Sequence, residues 1–302
     1  MTALLPTPQT PTPQDPTTQD RVKIPKRRRP TAASVALYGL VVVISVIYLF
    51  PFVIQLATAF KSDADAASNA LSLVPSPFTF SAFQELFTRS DFPLWTTNSF
   101  FITICVTIGR VFFDSLAGYA LARLRFRGRG AVFAAVIAVM AVPSVVLLIP
   151  KFLVVNQLGI YDSYAGMILP LLADAAGVFI MKNFFESIPR SVEEAARIDG
   201  AGTFRIYWSV VLPMARPALV TLVILSFQGS WNELAHFVVS RSDPDLNTLT
   251  TGVAALAAGS LGQGTQYPLK LAAALLMTIP VALLFFAFQR QIMATAEGAV
   301  KE

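Results

Sequence analysis

Two residue types that build metal and redox sites are almost missing. The 302-residue chain holds one cysteine, Cys105, and one histidine, His236. A lone cysteine excludes an internal disulfide and any multi-cysteine metal site, and a lone histidine excludes a histidine-cluster centre, so no metal is expected. Charge is scarce as well: Asp, Glu, Lys and Arg make up 14% of the chain, against about 25% in an ordinary soluble domain. Three catalytic signatures are absent: Gly-x-x-x-x-Gly-Lys-Ser/Thr, His-Glu-x-x-His and Gly-x-Ser-x-Gly. The chain thus carries no Walker-type phosphate cradle, no zinc-hydrolase helix and no nucleophile elbow.

What is abundant is apolar surface. Hydrophobic residues reach 55%, and the mean hydropathy is +0.62. A soluble fold cannot bury that much, so the excess must face lipid. The net charge is +5. Its basic residues flank apolar runs, which points to membrane flanks and not to nucleic acid.

Residues 1 to 20 are rich in Pro, Thr and Gln and cannot assemble a core. A basic patch follows: Arg21, Lys23, Lys26, Arg27, Arg28 and Arg29. The first apolar run begins past residue 30 and is too long for the core of a cleavable signal peptide, so it is expected to stay as a span. Domain organisation is therefore a disordered tail over 1–30 and a membrane domain over 31–302.

A hydrocarbon core needs about 20 apolar residues in a helix. Six stretches qualify, near Ser34–Phe60, Leu94–Leu121, Ala131–Val155, Tyr164–Met181, Ala215–Val239 and Pro268–Gln289. The fold class is all-α, with six transmembrane helices. Pro51, Pro143, Pro150, Pro170 and Pro280 should kink or end their helices. An even number of spans puts both termini on one side. That side collects 17 of the 23 Lys and Arg, including the patch, Arg123 to Arg129 and the loop from Lys182 to Arg216. The bias predicts cytoplasmic termini. Between the first two spans, residues 61 to 93 read as a solvated loop.

The most informative loop, about 182–214, contains IPRSVEEAARIDGAGTFRIYWSVVLPMARPAL from Ile188 to Leu219. Ser191 and Glu194 have the spacing of a capping box. Gly200 and Gly202 can supply positive φ and end a first short helix, and Thr203 can cap a second. Pro213 interrupts that helix and Pro217 opens the fifth span. The product is a helix-turn-helix at the membrane face, a docking surface with nothing nucleophilic about it. By pattern alone, a plain amphipathic interfacial loop is an equal reading.

The run Glu194-Ala195-Ala196, three residues, Gly200, nine residues, Val210, one residue, Leu212-Pro213 resembles the EAA loop of ABC importer permeases, with Val210 where that pattern has Ile. Asp199, within IDGAG, matches the usual context. The segment Gly118-Tyr119-Ala120-Leu121-Ala122-Arg123 with Arg125-Phe126-Arg127-Gly128 is similar to the carbohydrate-type branch, as are Phe184 to Pro189, Trp231-Asn232-Glu233 and Gly298 to Lys301. The likeness is to the smaller permease of maltose-type sugar importers. It implies that Glu194, Ala195, Ala196, Asp199, Gly200, Leu212 and Pro213 belong to a coupling helix that docks on an ATPase. It further implies a second permease, two ATPase subunits and an external solute-binding protein, in the plasma (inner) membrane. The chain itself would bind no cofactor, with ATP and Mg held by the partner ATPase. ATPase closure would draw the coupling helices together and tilt the spans.

Ionisable groups at membrane depth are costly and point to function or pairing. Arg110 and Asp114 are spaced to pair on one helix face. Asp174 either lines a cavity or meets the second permease. Gln228, Trp231, Asn232, Glu233 and His236 could face a hydroxylated ligand, although interfacial anchoring is the weightier reading. Function is thus a sugar or oligosaccharide importer permease, non-catalytic itself. A polyol phosphate or peptide permease is the alternative. A secondary transporter would expect an inverted repeat, and none is visible. A membrane enzyme lacks its motifs.

Overall fold

The computed structural model describes residues 32–259 and 266–299; the tail over 1–30 and the end at Val300 and Lys301 lie outside them. Among the described residues every element is helical. In order these are α1 (Ala32–Ala59), α2 (Asp63–Ser68), α3 (Ser81–Arg89), α4 (Phe92–Arg123), α5 (Arg129–Met140), α6 (Leu148–Gln157), α7 (Tyr164–Ile168), α8 (Ala175–Ser187), α9 (Arg190–Ile198), α10 (Thr203–Ile206), α11 (Leu212–Met214), α12 (Arg216–Trp231), α13 (Ala235–Val239), α14 (Leu249–Ala257) and α15 (Tyr267–Ala299). The chain divides into two units, 1–50 and 51–302. The first is the N-terminal part of α1, with exposed apolar side chains such as Leu40, Ile47 and Tyr48.

Four stretches cross a membrane by length and composition: Ser34–Ala59, Phe92–Arg123, Tyr164–Ser187 and Tyr267–Gln289. Two more do so only as bent pairs, so the count is four to six. The third and fifth stretches are thus broken, the third at the proline expected to kink or end it. The third breaks by 104° between α5 and a 3-10 turn over Ser144–Leu147 that leads into α6. Pro143 stands at the break, where it cannot donate to the helical ladder. The fifth bends by 81° between α11 and α12, with Pro217 in the first turn of α12. It then stops at Trp231, and His236 belongs to a separate short helix, α13.

Helix α4 is the axis of the second unit, lying along both α8 and α12. Gly118 permits a close approach of the α4 and α8 backbones: a Cβ there would sit 2.7 Å from Met181 Cβ and 2.9 Å from the Lys182 nitrogen. One apolar core joins Tyr119, Met181, Phe185, Ile206, Tyr207 and Leu222. A second joins Trp95, Trp231, Leu249 and Leu269.

The segment between the first two spans is more ordered than a solvated loop. It forms α2 and α3, with buried Lys61 donating to the Asn69 carbonyl at 2.6 Å and Asp65 accepting from the Ser76 N–H at 3.0 Å. Phe60, Phe78, Phe80 and Phe83 pack around it. Elsewhere, Asp162 clamps two connections together. Its carboxylate accepts the Ser242 and Asp243 N–H groups, each at 2.8 Å. Those backbone donors, Asp243 first, hold its carboxyl below the usual range.

Candidate functional site

The helix-turn-helix is present, and its local chemistry differs from the expectation at both starts. Helix α9 opens at Arg190 behind Pro189, whose φ of −59° and ψ of 134° lie outside the helix, and no side chain caps it. Ser191 thus falls inside the first turn and forms no capping box. Helix α10 opens behind Gly202, so Thr203 is its first residue and not its cap. The turn between them does use Gly200, at φ +81°. The Ala201 N–H reaches the Ala196 carbonyl at 2.9 Å and the Gly200 N–H reaches that of Arg197 at 3.0 Å, a Schellman closure. Gly202, at φ −71°, supplies no positive φ.

What fixes this hairpin to the membrane domain is an ion pair that sequence reading missed. Arg123 Nε lies 3.0 Å from Glu193 Oε1, with side chains only 4% and 6% exposed. The Arg123 guanidinium also donates to the carbonyls of Phe185 and Ile188. Phe185 lies in the last turn of α8 and Ile188 is its C-cap, so both carbonyls sit at the negative end of the helix dipole. One arginine thereby ties the end of α4 to the end of α8 and to α9. Beyond the turn, Tyr207 is buried against Tyr119 and Phe185, and its hydroxyl meets Ser115 Oγ at 2.8 Å. A π-helical turn over Tyr207–Val211 follows α10.

The seven residues named from the motif divide by exposure. Glu194, Ala195, Asp199, Gly200 and Pro213 face outward, while Ala196 and Leu212 are half-buried against the first core. Three apolar side chains join the outward set: Ile198 at 87% exposure, Phe204 at 69% and Trp208 at 53%. Phe204 stacks on Trp208 at 6.4 Å. The signal for them was legible, since three large apolar residues in a polar loop outside any span need a reason to be there.

The intramembrane residues assemble differently from the expected pair. Arg110 and Asp114 make no ion pair with each other. Arg110 Nε instead donates to the Leu171 carbonyl at 2.7 Å, and Asp114 Oδ1 accepts the Asp174 N–H at 2.9 Å. The cause is the break between α7 and α8. A 3-10 turn containing Pro170 and a fresh helix start leave backbone groups without helical partners, and the two α4 side chains supply them. Asp174 is the N-cap of α8, its side chain accepting from the Gly177 N–H at 3.2 Å. Asp114 is fully buried, and a Cβ on Gly177 would reach within 2.1 Å of its Oδ2.

Trp231 is neither a ligand platform nor an interfacial anchor. It is 2% exposed, stacks on Phe227 at 5.6 Å and donates to the Met277 carbonyl at 3.1 Å. His236 is buried too, with Nε2 3.2 Å from the Met167 carbonyl. Glu233 accepts the His236 N–H at 2.9 Å, at the start of α13. Gln228 and Asn232 stay exposed on α12.

Residues 114–294, from this buried aspartate through the hairpin and into α15, match the family described as the binding-protein-dependent transport system inner membrane component. The chain belongs to that family. It is the membrane-embedded permease subunit of an ABC importer. Among its relatives, an sn-glycerol-3-phosphate transport system permease protein of Yersinia pestis is 30% identical over 80% of this chain and 88% of its own length. An arabinooligosaccharides transport system permease protein of Halalkalibacterium halodurans is 32% identical over 85% and 93%. A diacetylchitobiose uptake system permease protein of Streptomyces coelicolor is 32% identical over 84% of each. In structure, the permease resembles a chain in the crystal structure of a bacterial ABC transporter involved in the import of the acidic polysaccharide alginate. The TM-score is 0.76 at 25% identity, covering 85% of this chain and 95% of that one.

Proposed function

We propose that this permease forms half of the pathway of a sugar or oligosaccharide importer, beside a second permease, and is driven through the α9–α10 hairpin. Two ATPase subunits would hold ATP and Mg, and an external binding protein would deliver the solute. Both termini and the hairpin would lie in the cytoplasm, as the Lys and Arg bias favours. The observation that carries this reading is the hairpin's construction: an apolar rim of Ile198, Phe204 and Trp208 on a base held by the Arg123–Glu193 pair. Exposed apolar groups on a rigid base suit a protein partner that pushes and pulls.

In mechanism, force applied to α9 passes through Arg123 into α4 and through the aromatic cluster into α12. Helix α4 is in turn joined to the α7–α8 break by Arg110 and Asp114. Exposed Gln228 and Asn232 are the side chains on α12 that could meet a hydroxylated solute. The relatives named for arabinooligosaccharides and diacetylchitobiose favour the sugar; the one named for sn-glycerol-3-phosphate keeps a polyol phosphate as the second reading.

The test is to co-express the permease with its neighbouring transport genes, purify it and assay uptake into proteoliposomes. An ATPase subunit should copurify, and ATP-dependent accumulation of one oligosaccharide should require the binding protein. Solute accumulation by the permease alone would overturn the proposal.

A further inference from the structure

The end of α4 and one side of α9 enclose a cleft of about 380 Å³ lined by Arg123, Arg125, Arg190, Glu193, Glu194 and Arg197. That volume is in the range of small-ligand sites. Four guanidinium groups face two carboxylates, and one carboxylate is already engaged. Glu193 is buried against Arg123 at 3.0 Å, with Arg197 at 3.8 Å. Arg125 and Arg190 are exposed and make no ion pair among the described residues. The cleft therefore keeps an uncompensated positive charge carried by planar, forked donors.

Its lining shares Glu194 with the proposed docking residues but otherwise occupies a different stripe of α9. Arg190, Glu193, Glu194 and Arg197 follow helical i, i+3, i+4 and i+7 spacing, so they form one stripe of α9. The exposed Ser191, Ala195 and Ile198 form another. The helix also begins at Arg190 with no side-chain cap, which puts the positive end of its dipole beside the cleft. Helix α4 has the length and composition of a membrane span over Phe92–Arg123, so the cleft lies at one end of that span.

We infer that this cleft binds a phosphate group. Guanidinium forks match phosphate oxygens in bidentate fashion, and here at least two are available with a helix start beside them. The phosphate could belong to an anionic phospholipid headgroup or to a soluble phosphate, and the two sources are separable.

The whole transporter, with its partner subunits, is reconstituted in nanodiscs of phosphatidylcholine with or without phosphatidylglycerol, and retained lipid is counted by native mass spectrometry. In parallel, it is titrated in neutral detergent with inorganic phosphate, followed by ³¹P NMR. Retained phosphatidylglycerol identifies the headgroup, and saturable binding of inorganic phosphate alone identifies a soluble anion; either supports the site. Arg125→Gln with Arg190→Gln should weaken binding by about tenfold per arginine, the factor carried by one charge-assisted hydrogen bond. Arg125→Lys with Arg190→Lys keeps the charge without the fork and should recover part of it. Size-exclusion elution with the ATPase checks that each variant assembles, and the lysine variant carries the comparison if the glutamine variant does not. Equal binding by wild type and variants, no binding of either probe to wild type, or binding only after the ATPase is removed would each overturn the inference. The last result would assign these arginines to acidic side chains of the partner.

Discussion

Replacing Glu193 by Ala would leave Arg123 buried without its counter-ion. Both side chains are almost fully enclosed, and Arg123 is further committed to two carbonyls of α8. Removing one partner of a buried pair costs about 3–5 kcal/mol, because the other charge stays desolvated. At about 1.4 kcal/mol per tenfold, that shifts the equilibrium for opening the hairpin by two to three orders of magnitude. Hydrogen exchange of the α9 amides reads this equilibrium directly. Those amides should exchange faster by that factor in E193A, while α14 amides, packed near Trp95 and Ser99 at the other end of α4, stay unchanged. The double variant Arg123→Met/Glu193→Leu removes both charges, and most of the loss should return. Wild-type exchange in E193A, or a double variant worse than either single one, would refute the claim that this pair anchors the hairpin.

Other consequences follow from the same geometry. Gly200→Val meets no atom within 4 Å of the added Cβ, so its penalty is the left-handed backbone alone, about 1–2 kcal/mol; membrane insertion should survive while transport falls relative to ATP hydrolysis, and wild-type coupling would contradict this. Asp114→Ala deprives the half-buried Asp174 N–H of its acceptor and should cost about 1–3 kcal/mol in thermal unfolding, whereas Asp114→Asn keeps an acceptor and should stay close to wild type. Equal melting of wild type and D114A would remove the argument that this side chain braces the α7–α8 break. Asp162, with its carboxyl held low by the Asp243 and Ser242 N–H groups, stabilises its clamp above the ordinary carboxylate range. That contribution is lost as pH falls through and below the range. Protection of the Ser242 and Asp243 amides, corrected for the intrinsic exchange rate at each pH, should therefore fall on acidification in wild type and lose this dependence in Asp162→Asn.

The membrane class and the limits of the first, second and sixth spans were readable because hydrophobicity alone sets them. Ser34–Ala59, Phe92–Arg123 and Tyr267–Gln289 all lie within a few residues of the expected bounds. The angles of the third and fifth were not readable, because a proline marks a weak point without saying how far the chain turns there. Pro51 and Pro280 lie inside continuous helices, yet Pro143 sits at a 104° break. The hairpin was legible through Gly200, the one residue whose backbone demand is written in its type. Its anchor was not. Glu193 and Glu194 are adjacent and chemically equal, and only the third dimension decides that Glu193 turns inward to an arginine 70 positions earlier. The Arg110–Asp114 pairing failed for a related reason: helical spacing permits it, but unpartnered backbone groups on a neighbouring element compete for both side chains.

Site-directed crosslinking reports on the docking surface most directly. With the lone native cysteine replaced, Cys105→Ser, the outward-facing Ile198 is changed to cysteine, and single cysteines are placed on the ATPase subunit that copurifies. If the α9–α10 hairpin is the port through which ATP hydrolysis moves the spans, I198C should crosslink to that ATPase and the link should arrest transport. Efficient ATP-driven uptake with no crosslink from Ile198, Phe204 or Trp208 positions would contradict the account.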